Sequence, residues 1–147
     1  MKEFLYELDN LTWKEWYRFG KDPETALSNI LDSENVFFTV GKLENKIISL
    51  AYLDRIDLKK KNARLGIVVH PEFRGKGVGS AHIKYLLEMA RKKNLEKVSL
   101  SVNSRNRPAF RLYKKFGWKV VKFFKDNPTR CEMVLNLREE INEKNSS

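Results

Sequence analysis

Apolar positions along this chain change their period several times, and each change marks an element. Leu65-Gly66-Ile67-Val68-Val69 is a continuous apolar run, the mark of a buried strand. After a glycine-rich stretch, Ile83, Leu86, Leu87 and Ala90 recur at i, i+3, i+4 and i+7, which predicts a helix over Val78–Lys93. Ala109, Leu112, Tyr113 and Phe116 form a second helical face over Asn106–Phe116, stopped by Gly117. Cys131, Met133, Leu135 and Leu137 alternate with polar residues, as a half-buried strand requires.

The remaining elements follow from shorter signals. Asn35–Val40 and Lys46–Leu53 are β-branched or aromatic runs joined by Gly41-Lys42-Leu43-Glu44-Asn45, a hairpin pattern. Strands are expected at Ala63–Val69, Lys97–Val102, and at Trp118–Phe124 and Arg130–Leu137 around an Asp126-Asn127-Pro128 turn. Lys59-Lys60-Lys61-Asn62 is expected as a solvated turn. Nearer the N-terminus, the pattern suggests a strand at Glu3–Tyr6, an aromatic-rich helix over Thr12–Phe19 and a short helix carrying Leu27, Ile30 and Leu31. Arg138–Ser147 is polar and is expected to fray. The order predicts an α+β fold with a mixed, mostly antiparallel sheet.

Composition narrows the class. A chain of 147 residues suits a single domain spanning 1–147, and a hydrophobic fraction of 41% is that of a globular protein. No apolar run reaches the length of a membrane span, and the acids in Met1-Lys2-Glu3-Phe4-Leu5-Tyr6-Glu7 do not suit a signal peptide. A cytoplasmic protein with no membrane partner is expected. The single cysteine, Cys131, excludes an internal disulfide, and two scattered histidines argue against a zinc site. The net charge of +10 invites a nucleic-acid reading, but the lysines are spread along the chain and no stacking motif accompanies them. No nucleic-acid partner is expected, and the charge should disfavour strongly cationic substrates.

The chemistry concentrates in Val69-His70-Pro71-Glu72-Phe73-Arg74-Gly75-Lys76-Gly77-Val78-Gly79-Ser80. A strand, a glycine-rich turn and a helix present free backbone N–H groups to a phosphate. Gly75, Gly77 and Gly79 permit close backbone approach, and Arg74 and Lys76 add positive charge. The Walker pattern fails, because its spacing from Gly75 lands on Ser80. A dinucleotide fingerprint also needs glycine or alanine where Ser80 stands, and an acid ending the next strand, which here ends Val102-Asn103.

The loop instead resembles the coenzyme A pyrophosphate loop of the GNAT superfamily, the acetyl-CoA-dependent N-acetyltransferases. Asn106-Arg107-Pro108-Ala109-Phe110-Arg111-Leu112-Tyr113-Lys114-Lys115-Phe116-Gly117-Trp118 resembles a second segment of that superfamily. The resemblance is sharp over Leu65–Trp118. It implies a sheet of six to seven strands flanked by helices, splayed between the strands ending at Val69 and Val102. The pantetheine arm would enter that wedge beside the backbone of Ile67, Val68 and Val69, and the pyrophosphate would meet Arg74, Gly75, Lys76, Gly77, Val78, Gly79 and Ser80. It also implies a Val69 N–H that polarises the thioester carbonyl and Tyr113 as the general acid protonating the coenzyme A thiolate. Asn106 is a helix N-cap by position, with a pantetheine contact implied by the family.

Each reading has a plainer one beside it. Tyr113 alone is a core tyrosine on an apolar face, and Arg105, Arg107 and Arg111 are either surface charges or contacts to the adenosine 3′-phosphate. His70 and His82 read as loop and helix-surface residues. Trp13, Trp16 and Tyr17 pack on the sheet or line an acceptor pocket. Many relatives carry a glutamate on the strand before the loop, but here it reads Asn62-Ala63-Arg64-Leu65. Asp54, Asp57, Glu34 and His70 remain candidate bases without geometry, and a water or an acceptor of low pKa would also serve. The resulting expectation is direct transfer of acetyl from acetyl-CoA, without a metal, to a small-molecule amine or a peptide N-terminus. Homodimerisation, common in the superfamily, is left open. The rival readings are a non-catalytic coenzyme A-binding regulatory module and, last, a basic nucleic-acid-binding domain.

Overall fold

Strand pairing begins at a two-residue turn. In the computed structural model, which describes residues 22–32 and 35–138, β1 (Phe37–Leu43) runs antiparallel to β2 (Lys46–Asp57) with Leu43 opposite Lys46. The hairpin is therefore tighter than the five-residue connection expected from sequence, because β1 continues through Gly41 to Leu43. Glu44 carries the positive φ of 57° that the short turn demands. A register shift between Gly41 and Lys42 absorbs the extra residue.

Four further strands follow: β3 (Asn62–Val69), β4 (Lys97–Asn103), β5 (Lys119–Phe123) and β6 (Arg130–Asn136). The six strands form one sheet in the order β1-β2-β3-β4-β6-β5. Pairs β1–β2, β4–β6 and β5–β6 are antiparallel, and β3–β4 is parallel. Among the described residues, three helices accompany them: α1 (Pro23–Leu31), α2 (Val78–Lys92) and α3 (Arg107–Phe116). This is the mixed α+β architecture that the pattern predicts. The expected Glu3–Tyr6 strand and Thr12–Phe19 helix lie outside the described residues, as do Trp13, Trp16, Tyr17, Glu34 and the tail beyond Arg138.

The chain divides into two compact units. The first takes residues up to Asp54 together with Gly66–Glu88. Asp22 starts α1, its carboxylate accepting from Thr25 N–H at 2.8 Å and from the Thr25 hydroxyl at 2.9 Å. The Thr25 amide bond is the main reason the Asp22 carboxyl is held below the usual range. In β2, every residue from Ile48 to Asp54 is buried, as for a strand covered on both faces. Ile83, Leu86 and Leu87 of α2 are fully or nearly fully buried, as the helical spacing requires.

His82 departs from expectation. It is 6% exposed rather than a helix-surface residue, and it joins α2 to β1 and β2. Its Nε2 lies 2.7 Å from Thr39 Oγ1 and its Nδ1 lies 2.7 Å from Ser49 Oγ. Thr39 spends its one hydroxyl proton on the Ala51 carbonyl at 3.0 Å. His82 Nε2 must then donate to Thr39, which leaves Nδ1 to accept from Ser49. Burial lowers the His82 pKa, in keeping with a neutral ring. Gly41 is required beside this network, because a Cβ there would overlap Ser49 Oγ. His82 precedes Leu86 and Ala90 by four and eight residues, so its place on the apolar stripe was readable.

The second unit takes Arg55–Leu65 together with Met89 onward. Val98, Leu100 and Val102 of β4 and Cys131, Met133 and Leu135 of β6 are buried in strict alternation. Arg64 reaches past the Ser99 hydroxyl to pair with Glu132, which also takes Lys122 at 3.7 Å. β5 lies at the sheet edge, mostly exposed and carrying Lys119 and Lys122, residues that discourage a further strand from pairing there.

Candidate functional site

The glycine loop is built inside the first unit. β3 ends at Val69, and the His70 N–H donates to the Ile48 carbonyl at 2.8 Å. Since successive residues of an antiparallel strand bond to opposite sides, Val69 and Ile67 direct their N–H and C=O groups away from β2, and Val68 directs its own toward β2. The expected set Ile67, Val68 and Val69 thus divides: two residues offer backbone groups on the free side, and one does not. The Val69 carbonyl takes Arg74 Nε at 3.1 Å, which folds the loop back on the strand end.

A short 3₁₀ turn, Pro71–Phe73, follows. His70 is the loop residue expected between β3 and this turn, and it is buried, at 4% exposed, with its Nδ1 accepting the Glu72 N–H at 3.1 Å. The Phe73 ring stands edge-on to His70 at 5.7 Å between centroids, with Lys76 Nζ at 5.5 Å and Lys46 Nζ at 5.8 Å from its own centroid. These contacts give the loop a fixed base although Arg74, Gly75, Lys76 and Gly77 are all exposed.

Gly75 (φ 74°) and Gly77 (φ 85°) are left-handed, whereas Gly79 is not among the positive-φ residues and lies within α2. A Cβ on Gly75 or Gly77 would meet nothing within 4 Å. The glycines are therefore demanded by backbone conformation, with open space over them. The first helical bond at this end runs from Ala81 N–H to Gly77 O at 3.0 Å. Val78, Gly79 and Ser80 fall in the first turn, where amides have no intrahelical acceptor. This end of α2 can hold an anion through backbone donors, with Arg74 and Lys76 beside it. Such an arrangement fits a pyrophosphate.

Tyr113 lies in the second unit, on the half-buried side of α3. Its ring meets Trp118 edge-on at 5.8 Å, and its carbonyl accepts the Trp118 N–H at 3.1 Å. Trp118 is 1% exposed and donates its indole N–H to the Val98 carbonyl at 3.0 Å. Gly117 ends the helix in a left-handed conformation, φ 108°, with its N–H on the Lys114 carbonyl at 3.0 Å. The aromatic group and the tyrosine are thereby fixed to one another. Asn106 occupies the N-cap position, but its side chain makes no capping hydrogen bond, contrary to expectation.

The β3–β4 register covers Asn62↔Lys97, Ala63↔Val98 and Arg64↔Ser99, while the strands continue to Val69 and Asn103. The candidate bases sort by their surroundings. Asp57 accepts the Lys59 and Lys60 N–H groups at 3.0 and 2.9 Å, which shapes the lysine turn. Asp54 is 5% exposed within β2. Sequence reasoning missed Glu132, the carboxylate that answers Arg64, because it comes from a strand 68 residues away. Cys131 is fully buried, and burial pushes its thiol pKa up, with Arg130 and Lys114 drawing it partly back. Among the described residues, no three metal-ligating side chains gather, and no helix is long and apolar enough to cross a membrane.

A mixed sheet with a parallel β3–β4 pair, a left-handed glycine loop opening α2 and the α3–Trp118 segment define an acetyltransferase of the GNAT type. The chain belongs to the acetyltransferase (GNAT) family, whose model matches residues 3–118. Over 51 residues it is 39% identical to the putative [ribosomal protein bS18]-alanine N-acetyltransferase of Bacillus subtilis (strain 168). That match spans 35% of this chain and 34% of the relative, so about a third of each. Among solved structures, it resembles a variant of spermidine N-acetyltransferase SpeG from Vibrio cholerae at TM-score 0.77 and 21% identity, over 98% of this chain and 96% of that one. The ribosomal-protein-S18-alanine N-acetyltransferase from Escherichia coli matches at TM-score 0.67 and 19% identity, over 88% and 90% of the two chains. These two likenesses show the fold.

Proposed function

We propose that this chain transfers an acetyl group from acetyl-CoA to an amine by direct attack, without a covalent enzyme intermediate. The observation that carries the reading is the pair of left-handed glycines, Gly75 and Gly77, opening α2 in a chain of this family. The amides of Arg74 to Ser80 bind the pyrophosphate, and the backbone of Ile67 and Val69 aligns the pantetheine arm. The Val69 N–H steadies the oxyanion that develops on the acetyl carbonyl. The amine nitrogen bonds to that carbon, the C–S bond breaks, and Tyr113 gives its phenolic proton to the departing thiolate; the proton that the nitrogen sheds on becoming an amide passes to water, from which the phenolate is reprotonated. Cys131, buried in β6, is in no position to serve as a nucleophile.

The acceptor in this reading is the α-amino group of a peptide. Such an amine has a reference pKa of about 7.7–8.0, so a fraction is already deprotonated near neutrality and needs no strong base. This agrees with a strand before the loop whose only ionisable group, Arg64, is a cation. The likeness in sequence to a ribosomal-protein alanine N-acetyltransferase supports the same choice. A net charge of +10 disfavours a polyamine, the acceptor in the name of the SpeG neighbour. The test is free-thiol release from acetyl-CoA with an alanine-terminated peptide and with spermidine. Release driven by the peptide and not by spermidine is expected. Release with spermidine alone would reverse the acceptor choice, and coenzyme binding with no turnover on any amine would identify a non-catalytic binding module.

A further inference from the structure

No residue from Pro71 to Ala81 is buried, yet the residues flanking that stretch are both buried histidines, His70 and His82. Each is tied to β2. His70 N–H donates to the Ile48 carbonyl at 2.8 Å, and His82 Nδ1 accepts from the Ser49 hydroxyl at 2.7 Å. The glycine loop therefore stands on two feet planted on consecutive residues of one strand. All of it lies within the first unit.

The two feet differ in kind. The His70 foot is a backbone bond that any residue except proline could make. The His82 foot is made by a side chain one turn into α2, with Nε2 donating to Thr39 on β1 while Nδ1 accepts from Ser49 on β2. Ile83, Leu86 and Leu87 also hold α2, but apolar burial has no direction and tolerates small slides and turns of a helix. The two 2.7 Å bonds remove that freedom beside the loop. Little space is left for adjustment below, since a Cβ on Gly41 would overlap Ser49 Oγ and stand 3.6 Å from His82 Nδ1. Above, the loop has no such support: a Cβ on Gly75 or Gly77 would meet nothing within 4 Å.

We propose that His82 is a positioning residue for the pyrophosphate site: its neutral ring sets the first-turn amides of Val78, Gly79 and Ser80, and its protonation slackens that setting, so that coenzyme A binds more weakly in acid. The ligand's identity rests on the function proposed above, and His82 adds control of its binding by pH. An imidazolium has two N–H donors and no acceptor, so Ser49, 1% exposed, must turn its proton away from the ring. Burial is the cause of the depressed His82 pKa. The first unit's charged residues on the three elements, Lys42 on β1, Lys46 and Asp54 on β2, and Lys84 and Glu88 on α2, do not enter it. His70 is the other titratable ring beside the loop, with its Nδ1 accepting from Glu72 N–H.

The test is calorimetric titration of the full chain with coenzyme A at pH 7.5 and 5.5, in the parent, His82→Gln and Ser49→Ala, with melting temperature as the folding control. Binding that needs the neutral ring weakens with the fraction protonated, and a folded pKa below 6.5 limits the loss at pH 5.5 to about tenfold. A loss of a few-fold, up to that limit, is expected in the parent. Glutamine offers an amide donor and a carbonyl acceptor but no titrating proton, so the His82→Gln profile should be flatter. Its remaining slope is the part that His70 and the coenzyme phosphates give to both proteins. Ser49→Ala removes the partner on β2 and should bind more weakly than the parent already at pH 7.5. In turnover assays, the difference between parent and His82→Gln should appear in KM for acetyl-CoA and not in kcat. Parallel profiles in parent and His82→Gln overturn the inference, as does a Ser49→Ala variant that binds like the parent. Affinity that rises in acid only where His82 is present also overturns it, since simple attraction between imidazolium and pyrophosphate gives that result. The expected pH pattern without turnover on any amine would overturn the proposed acetyl transfer and leave the inference standing, whereas no coenzyme binding at either pH would overturn both.

Discussion

Ser49 Oγ lies 2.7 Å from His82 Nδ1, and the direction of that hydrogen bond is set from the far side of the ring by Thr39. The helix whose first turn forms the glycine loop is thereby fastened to β1 and β2 through a neutral imidazole. Protonation puts a second N–H on the ring, where Ser49 already directs its own proton. The depressed His82 pKa means that the unfolded chain takes up a proton before the folded one does. Stability is therefore complete above the ordinary histidine value of 6.5 and declines as pH falls below it. Urea denaturation between pH 7.5 and 5, comparing the parent with His82→Gln, should show a flatter profile in the variant. Identical slopes would remove His82 as the source.

Tyr113→Phe keeps the ring against Trp118 and removes only the phenolic proton. Turnover should fall by about 10²–10⁴-fold, the usual contribution of a positioned acid, with coenzyme affinity nearly unchanged. Steady-state kinetics beside direct binding of coenzyme A separates the two effects. Turnover at the parental rate would take Tyr113 out of the reaction.

Gly77 has a φ of 85° with open space around its missing Cβ, so substitutions there report backbone conformation rather than crowding. Gly77→Ala should cost on the order of 1–2 kcal/mol in stability, and Gly77→Asn less, since asparagine tolerates the left-handed region. Coenzyme affinity should fall in the same order, alanine below asparagine. An alanine variant that binds coenzyme A as tightly as the parent would detach this glycine from the phosphate site.

Gly66 poses the opposite problem, because a Cβ there would overlap the Tyr52 ring. Gly66→Ala should destabilise by about 1–3 kcal/mol, as overpacking does. In the double variant with Tyr52→Leu, part of that cost should disappear, a coupling of about 0.5–3 kcal/mol measurable by a denaturation cycle. Strict additivity would mean that something other than the ring resists the methyl group.

Cys131 is fully buried, and its thiol is pushed up by that burial. A thiol reagent such as maleimide should modify the native chain slowly and the urea-unfolded chain fast. Rapid native labelling at pH 7 would show that β6 opens readily.

The elements legible in the sequence are those set by neighbours a few residues apart. The apolar faces of α2 and α3, the glycine loop and the alternation of β6 all stand close to where periodicity places them. What escaped reading depends on partners far along the chain. The spacing of His82 from Leu86 and Ala90 put it on the apolar stripe, but the partners that let a histidine sit there, Thr39 and Ser49, are 43 and 33 positions away. Arg64 looked like a missing acid, while its acid, Glu132, stood on another strand. Asn106 shows the converse: its position before a helix was read correctly, but position alone does not oblige the side chain to cap.

The sheet order also bears on how the chain is completed during synthesis. β6 is the last described strand to be made, yet it inserts between β4 and β5. Until Arg130–Asn136 emerges, β5 has no strand beside it and β4 keeps its outer row of amides and carbonyls open. The half of the protein that carries Tyr113 thus waits for β6, and a nascent chain stalled before Arg130 would expose two sticky edges at once.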